Sequence, residues 1–180
     1  MSENSGASKF FNDFVQVGVI VENVDVSTKM LSEVFGIGPW RIFDWPTADR
    51  KDLKRTYHGV PAEFTARMAF AEIGPIELEL IQPLEGSSVW RDFLTEKGPG
   101  IHHIRFNVDE YEPVIDYLKD RGIEVAQFGE GIRPGTCWAN LSTEALIGFG
   151  IEIMKKVPGT NGRTPQVEEL AGSDEKSKSS

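Results

Sequence analysis

Thiols are almost absent: Cys137 is the one cysteine in 180 residues. That excludes an intrachain disulfide and any thiolate cluster of the kind that holds structural zinc. A metal, if bound, has to sit on oxygen and imidazole. No apolar run approaches the roughly 20 residues that cross a bilayer. Met1 to Ser8 lacks the basic start and apolar stretch of an export signal, so the chain reads as soluble and cytoplasmic. Basic residues number 19 against 28 acidic ones, and the net charge of −9 repels phosphate backbones and anionic lipid. Neither nucleic acid nor a membrane is an expected partner. What is present is a 39% hydrophobic complement, enough to build the core of one ordinary domain or two small repeated halves.

Both ends are poor in apolar residues and read as flexible tails, 1–12 and 157–180, with at most a helical turn around Gln166 to Leu170. Between them Phe14 to Val21 alternates, with Val15, Val17, Val19 and Val21 on one face and Gln16, Gly18 and Ile20 on the other, as in a strand. Asp25 and Ser27 are candidate caps for a helix reaching Phe35, with Met30, Leu31, Val34 and Phe35 at helical spacing and Gly36 as its stop. A partial strand at Trp40 to Asp44, a long excursion, and strands at Phe64 to Ile73 and Ile76 to Gln82 complete a βαβββ order over 14–83. After a linker, 84–100, in which Val89, Trp90, Phe93 and Leu94 suggest a short helix, the order returns over 101–156. It runs as a strand from His102 to Val108, a helix from Tyr111 to Arg121, and strands at Ile123 to Phe128, Thr136 to Leu141 and Phe149 to Met154. Two copies of one unit are the economical reading, and the fold class expected is α+β.

Unusual polar residues fall at matching places in the two halves. Gln16 lies opposite four valines in the first strand, and His103 stands at the corresponding place in the second half. Glu79 and Glu152 each sit among apolar neighbours in the last strand of their half. If the halves face each other about a pseudo-twofold axis, these four side chains converge. Burying two carboxylates without a counter-charge is costly, so a divalent cation would account for such a cluster. One imidazole and three oxygen donors suit Mn, Co, Ni, Zn, Fe or Mg. Each residue also has a plainer reading. His103 would serve as a hydrogen-bonded structural histidine, Gln16 as a polar group on a solvated sheet face, and Glu77 shares the face of Glu79 and competes with it for the role.

Val15-Gln-Val-Gly-Val-Ile-Val-Glu-Asn, Phe35-Gly-Ile-Gly-Pro, Glu79-Leu-Ile-Gln-Pro-Leu, Gly100-Ile-His-His-Ile-Arg-Phe-Asn-Val-Asp and Gly150-Ile-Glu-Ile together resemble the vicinal oxygen chelate superfamily. Within it the chain is most similar to methylmalonyl-CoA epimerase and glyoxalase I. The resemblance covers Phe14 to Lys155 and implies paired βαβββ modules with a metal at their junction, held by Gln16, Glu79, His103 and Glu152. It also implies removal of a proton from carbon next to a carbonyl through a metal-stabilised enolate, with Glu152 as base and Glu79 as second choice. A homodimer and a small carbonyl substrate, an acyl-CoA or a carboxylate, are the partners it suggests. Two departures stand out: Gln16 where the epimerases usually have histidine, and no carboxylate around Ala66 to Met68 to serve as a second base. A glyoxalase-type lyase and a non-catalytic binding or resistance protein are the alternatives.

Arg105 shares the side of His103 and is a candidate for a substrate carboxylate or phosphate, or else for an internal ion pair. Phe70 and Met154 are candidate pocket residues. Trp40, Phe43 and Trp45 are placed at the mouth or at a subunit interface. His102 is expected on the opposite face with a structural role, and His58 at the surface.

Overall fold

The structure, a computed structural model, describes residues 10–157. Its elements run β1 (Phe14–Ile20), α1 (Val24–Phe35), β2 (Arg41–Trp45), β3 (Arg55–Tyr57), β4 (Val60–Pro61), β5 (Ala66–Ile73), β6 (Ile76–Pro83), α2 (Val89–Lys97), β7 (Gly100–Val108), α3 (Glu112–Lys119), β8 (Val125–Glu130), β9 (Cys137–Leu141), α4 (Glu144–Ile147) and β10 (Gly150–Lys155). The ten strands form one sheet in the order β2-β5-β6-β1-β7-β10-β9-β8-β3-β4.

The repeat is visible in this order. In the first half β1 runs parallel to β6, which pairs antiparallel with β5, and β5 with β2. The second half repeats this as β7 parallel to β10, then β9, then β8. The halves join where β1 and β7 pair antiparallel, Gln16 opposite Arg105 and Gly18 opposite His103. That register exchanges the two halves about an axis between the strands.

The excursion forms β3 and β4, which pair with each other and, through β3, with β8 of the other half. It therefore joins opposite edges of the sheet. Ten residue steps from Trp45 to Arg55 reach at most about 35 Å, and the eight strand spacings from β2 to β3 would take about 38 Å in a flat sheet. The sheet has to curl, and it forms a half-barrel with a concave face. Leu53 and Phe64 from the excursion are buried with Trp45, Phe70, Trp90 and Trp138 in the cluster filling part of that face.

Alternation sorts the two faces. Val19, Val21, Leu78 and Leu80 turn outward under α1, and Val108, Leu141 and Ile153 turn outward under α3 with Val114 and Leu118. Several details differ from the sequence reading. Asn23 caps α1, accepting from the Val26 amide at 3.0 Å, in place of Asp25 or Ser27. Gly36 ends the helix with φ 68, a left-handed conformation glycine adopts without Cβ strain. Val24 and Thr28 are buried and Leu31 packs beside them, whereas Met30, Val34 and Phe35 point to solvent. The expected N-terminal tail is ordered from Phe10, because Phe10 meets Tyr117 and Phe11 meets Phe106 at ring-centroid distances of 5.4 and 5.6 Å. Trp45 is buried in the concave-face cluster and also lines the cavity described below. The turn around Gln166 to Leu170 lies outside the described residues. No helix among the described residues is long and apolar enough to cross a membrane.

Candidate active site

The inward face of the central strands carries the polar residues. On β1 these are Gln16 and the space above Gly18, on β6 Glu77 and Glu79, on β7 His103 and Arg105, and on β10 Glu152. The parallel registers repeat one offset: Gln16 precedes by two residues the partner of Glu79, and His103 precedes by two the partner of Glu152. Gln16 and His103 are thus topological equivalents, as are Glu79 and Glu152.

Three of the four meet directly. His103 Nε2 stands 3.4 Å from Glu79 Oε2 and 3.5 Å from Glu152 Oε2, and all three side chains are buried. Glu152 is oriented by Asn140, whose Nδ2 donates to its Oε2 at 3.1 Å. Gln16 lies along the same face, fully buried, and its Nε2 donates to Glu77 Oε1 at 2.7 Å. The amide orientation is thereby fixed and its Oε1 finds no protein partner; Glu79 Oε2 and His103 Nε2 likewise have no hydrogen bond. Glu77 is also the counter-ion of two arginines, Arg41 and, at 3.4 Å, Arg105. It holds Gln16 and Arg105 in place. Its position two residues before Glu79 was the only sequence signal for this. The support from Asn140 depends on a β9–β10 register that no local pattern reveals.

Charge balance at the cluster is unusual. Burial pushes the Glu79 carboxyl from 4.5 up to about 8, opposed by Arg105 and reinforced by Glu77. Burial also raises Glu152, with His103 opposing, and lowers His103, with Glu152 opposing. Two acids and an imidazole therefore converge, with Arg105 as the cation that opposes the upward shift of both acids.

Among the described residues no group of three or more His, Cys, Asp or Glu side chains is arranged to hold a metal ion. The donor types and two separations nevertheless suit one. Ligand atoms sharing an ion at about 2.1 Å lie about 3.0–3.5 Å apart, matching the two separations at His103. Unpartnered oxygens on Glu79 and Gln16 and a bare nitrogen on His103 are what a cation would satisfy.

A cavity opens onto this cluster. Glu79, Arg105 and Glu152 line it, and its walls are apolar, built from Phe43, Phe70, Trp138 and Met154 among others. Phe43 and Phe70 stack at 5.4 Å. Arg133 and Lys156 also line it, and Lys156 is bridged to Asp13 and Asp109.

His102 breaks the alternation expected of it. The β1–β7 ladder passes from Gly18–His103 to Val19–Ile101, a bulge that leaves His102 without a partner on β1. The bulge turns its ring so that Nδ1 lies 3.0 Å from Nδ1 of His103.

Residues 15–140 match the Glyoxalase/Bleomycin resistance protein/Dioxygenase superfamily. The chain belongs to this superfamily. The uncharacterized protein YqjC of Bacillus subtilis (strain 168) is 35% identical over 63 residues, which are 35% of this chain. The match spans 45% of YqjC, less than half its length. Methylmalonyl-CoA epimerase from Mycobacterium tuberculosis shares the fold at TM-score 0.61 and 19% identity, over 88% of this chain and 94% of that one. A hypothetical protein from Bacillus halodurans C-125 shares it at TM-score 0.59 and 20% identity, over 82% and 96%. A further methylmalonyl-CoA epimerase, solved with methylmalonyl-CoA and NH4+, matches at TM-score 0.61 and 16% identity over 87% and 99%. At these identities the likeness is one of glyoxalase fold, and the paired βαβββ architecture of the superfamily is what it establishes here.

Proposed function

We propose that the chain is a divalent-metal-dependent enzyme that moves a proton at carbon next to a carbonyl, in the manner of an epimerase. The observation that carries this reading is the convergence of His103 Nε2, Glu79 Oε2 and Glu152 Oε2 at the floor of an apolar cavity. Gln16, Glu79, His103 and Glu152 would hold the ion, and the chemistry it supplies when bound is polarisation of the substrate carbonyl.

The chain's own groups do the rest. Glu152, oriented by Asn140, takes the α-proton on a carboxylate oxygen while the carbonyl accepts the electron pair left behind. The proton returns from Glu152 to restore the substrate, or, where Glu79 stands free of the ion and protonated, a proton from Glu79 reaches the other face and gives the epimer while Glu152 keeps the abstracted one. Arg105, steadied by Glu77, faces the cavity as the cation for a carboxylate or thioester oxygen. The aromatic walls exclude water from the reacting carbon. An acyl thioester such as methylmalonyl-CoA is the substrate class supported by the ligand of the similar epimerase.

Protein loaded with manganese or cobalt is expected to exchange the α-proton of such a thioester for deuterium in heavy water, read by mass spectrometry. Protein with the ion bound that exchanges none, across a panel of branched acyl thioesters, overturns the reading.

A further inference from the structure

We propose that two pairs of stacked rings beside the acids, Phe43 with Phe70 and Trp90 with Trp138, form a slot for a flat aromatic group on the reacting carbon. The acyl group taken is then an α-aryl one. The inference rests on the reading of the cavity as the site of α-proton transfer, and it narrows the substrate class of that site.

The two acids are equivalent in the repeat, but their neighbours are not. Opposite Glu152, on β9, stands Asn140, which donates to it. Opposite Glu79, on β5, stands Phe70. Cross-strand partners have Cβ atoms about 5 Å apart, so the Phe70 ring borders any carbon within reach of Glu79. Phe43 stacks on Phe70 at 5.4 Å with 19° between the planes. On the other side Met154 follows Glu152 by two residues and pairs with Trp138, which stacks on Trp90 at 5.2 Å and 23°. Trp45 meets both indoles edge-on, at 6.1 Å from Trp90 and 5.2 Å from Trp138, and holds that pair in place. All four stacked rings line the cavity.

A second carboxylate on the reacting carbon fits these surroundings poorly. It would enter among carbon surfaces beside Glu79 and Glu152, where an uncompensated charge is costly. Arg105, the one cation that a central strand contributes to the cavity, already pairs with Glu77 at 3.4 Å. Lys156, which also lines it, is bridged to Asp13 and Asp109. An aryl group instead gains ring contacts beyond its buried area. Its π system also spreads the electron pair left when the α-proton departs.

Calorimetric titration of the full chain, with manganese and with chelator, compares N-acetylcysteamine thioesters that differ only on the α-carbon. That carbon carries a methyl and either phenyl, cyclohexyl or carboxylate. The phenyl compound is expected to bind about fivefold tighter than the cyclohexyl one, a ratio that ring contact supplies and apolar bulk does not. In Phe70→Leu the ratio is expected to fall within about twofold. Phe43→Leu, at a half-buried position, gives the same reading should the first variant fail to fold. A phenyl compound that does not bind, or binds no tighter than its cyclohexyl counterpart, overturns the proposal. So does a carboxylate compound bound tightest, or a ratio that both variants leave intact. Exchange of the α-proton is read separately on the same compounds. Selective aryl binding by ion-loaded protein that exchanges no α-proton sinks the enzymatic reading and not the slot. Equal exchange and equal binding of all three compounds sink the slot and not the enzymatic reading.

Discussion

Gly18→Ala is expected to leave a folded protein that has lost α-proton exchange at least about 100-fold. A Cβ built on Gly18 would overlap three atoms of the His103 ring, the longest of the three separations being 2.7 Å to Nδ1. No real Cβ sits that close, so one side must move. The ring has little room to retreat: it is fully buried, its Nδ1 is engaged with His102, and Gly150 backs its Cβ. Strand β1 is equally constrained, paired with β6 on one side and β7 on the other. Overpacking of this kind costs about 1–3 kcal/mol, which a urea titration would register as a lowered midpoint. A misplacement of about 1 Å at a catalytic group can cost about 100-fold in rate, so the loss of exchange should exceed anything lost stability explains. Exchange within twofold of the parent would show that His103 does not need its place above Gly18.

The same glycine illustrates how much of the site can be read without coordinates. Alternation in Phe14 to Val21 places Gln16 and Gly18 on one face, and repetition of element order pairs Gln16 with His103 and Glu79 with Glu152. Those inferences draw on periodicity and order, which are local or nearly so, and the sheet registers carry the same pairings. The features that were not legible depend on long-range choices. The excursion after Trp45 pairs with β8 of the other half, Thr56 opposite Phe128 about 70 residues downstream, a register that no local pattern sets. Met30, Val34 and Phe35 share helical spacing with Leu31, yet the sheet beneath α1 selects Val24, Thr28 and Leu31. A bulge shifts the alternation at His102, because one extra residue in a strand redirects a side chain that period-two reasoning sends outward.

Metal-free protein is expected to lose stability as pH rises from 6.5 to 8, and a bound divalent cation is expected to reverse that slope. Glu79 titrates at about 8 in the fold against 4.5 when unperturbed, and Glu152 is shifted the same way. Between those values Glu79 in the native state holds a proton that the unfolded chain has released, so raising the pH favours unfolding, by about 1.4 kcal/mol per pH unit for this group, and the Glu152 shift acts in the same direction. His102 and His103 act in the opposite sense. Burial holds both below 6.5, so their contribution is present above 6.5 and is lost as pH falls beneath it. The histidines and acids therefore oppose each other below 6.5, and from there to 8 Glu79 sets the slope. A cation requires the acids ionised and the imidazole neutral; its binding releases protons and tightens as pH rises. Stabilisation then grows with the ratio of free ion to dissociation constant. Urea midpoints at both ends of the window, with chelator and with manganese, give the two slopes. Glu79→Gln, neutral at every pH, should flatten the chelator slope and be more stable than the parent at the upper end. A chelator-treated parent whose midpoint is flat or rising across that window would mean that the two acids are ionised without a metal, and the convergence at His103 would need no cation to explain it.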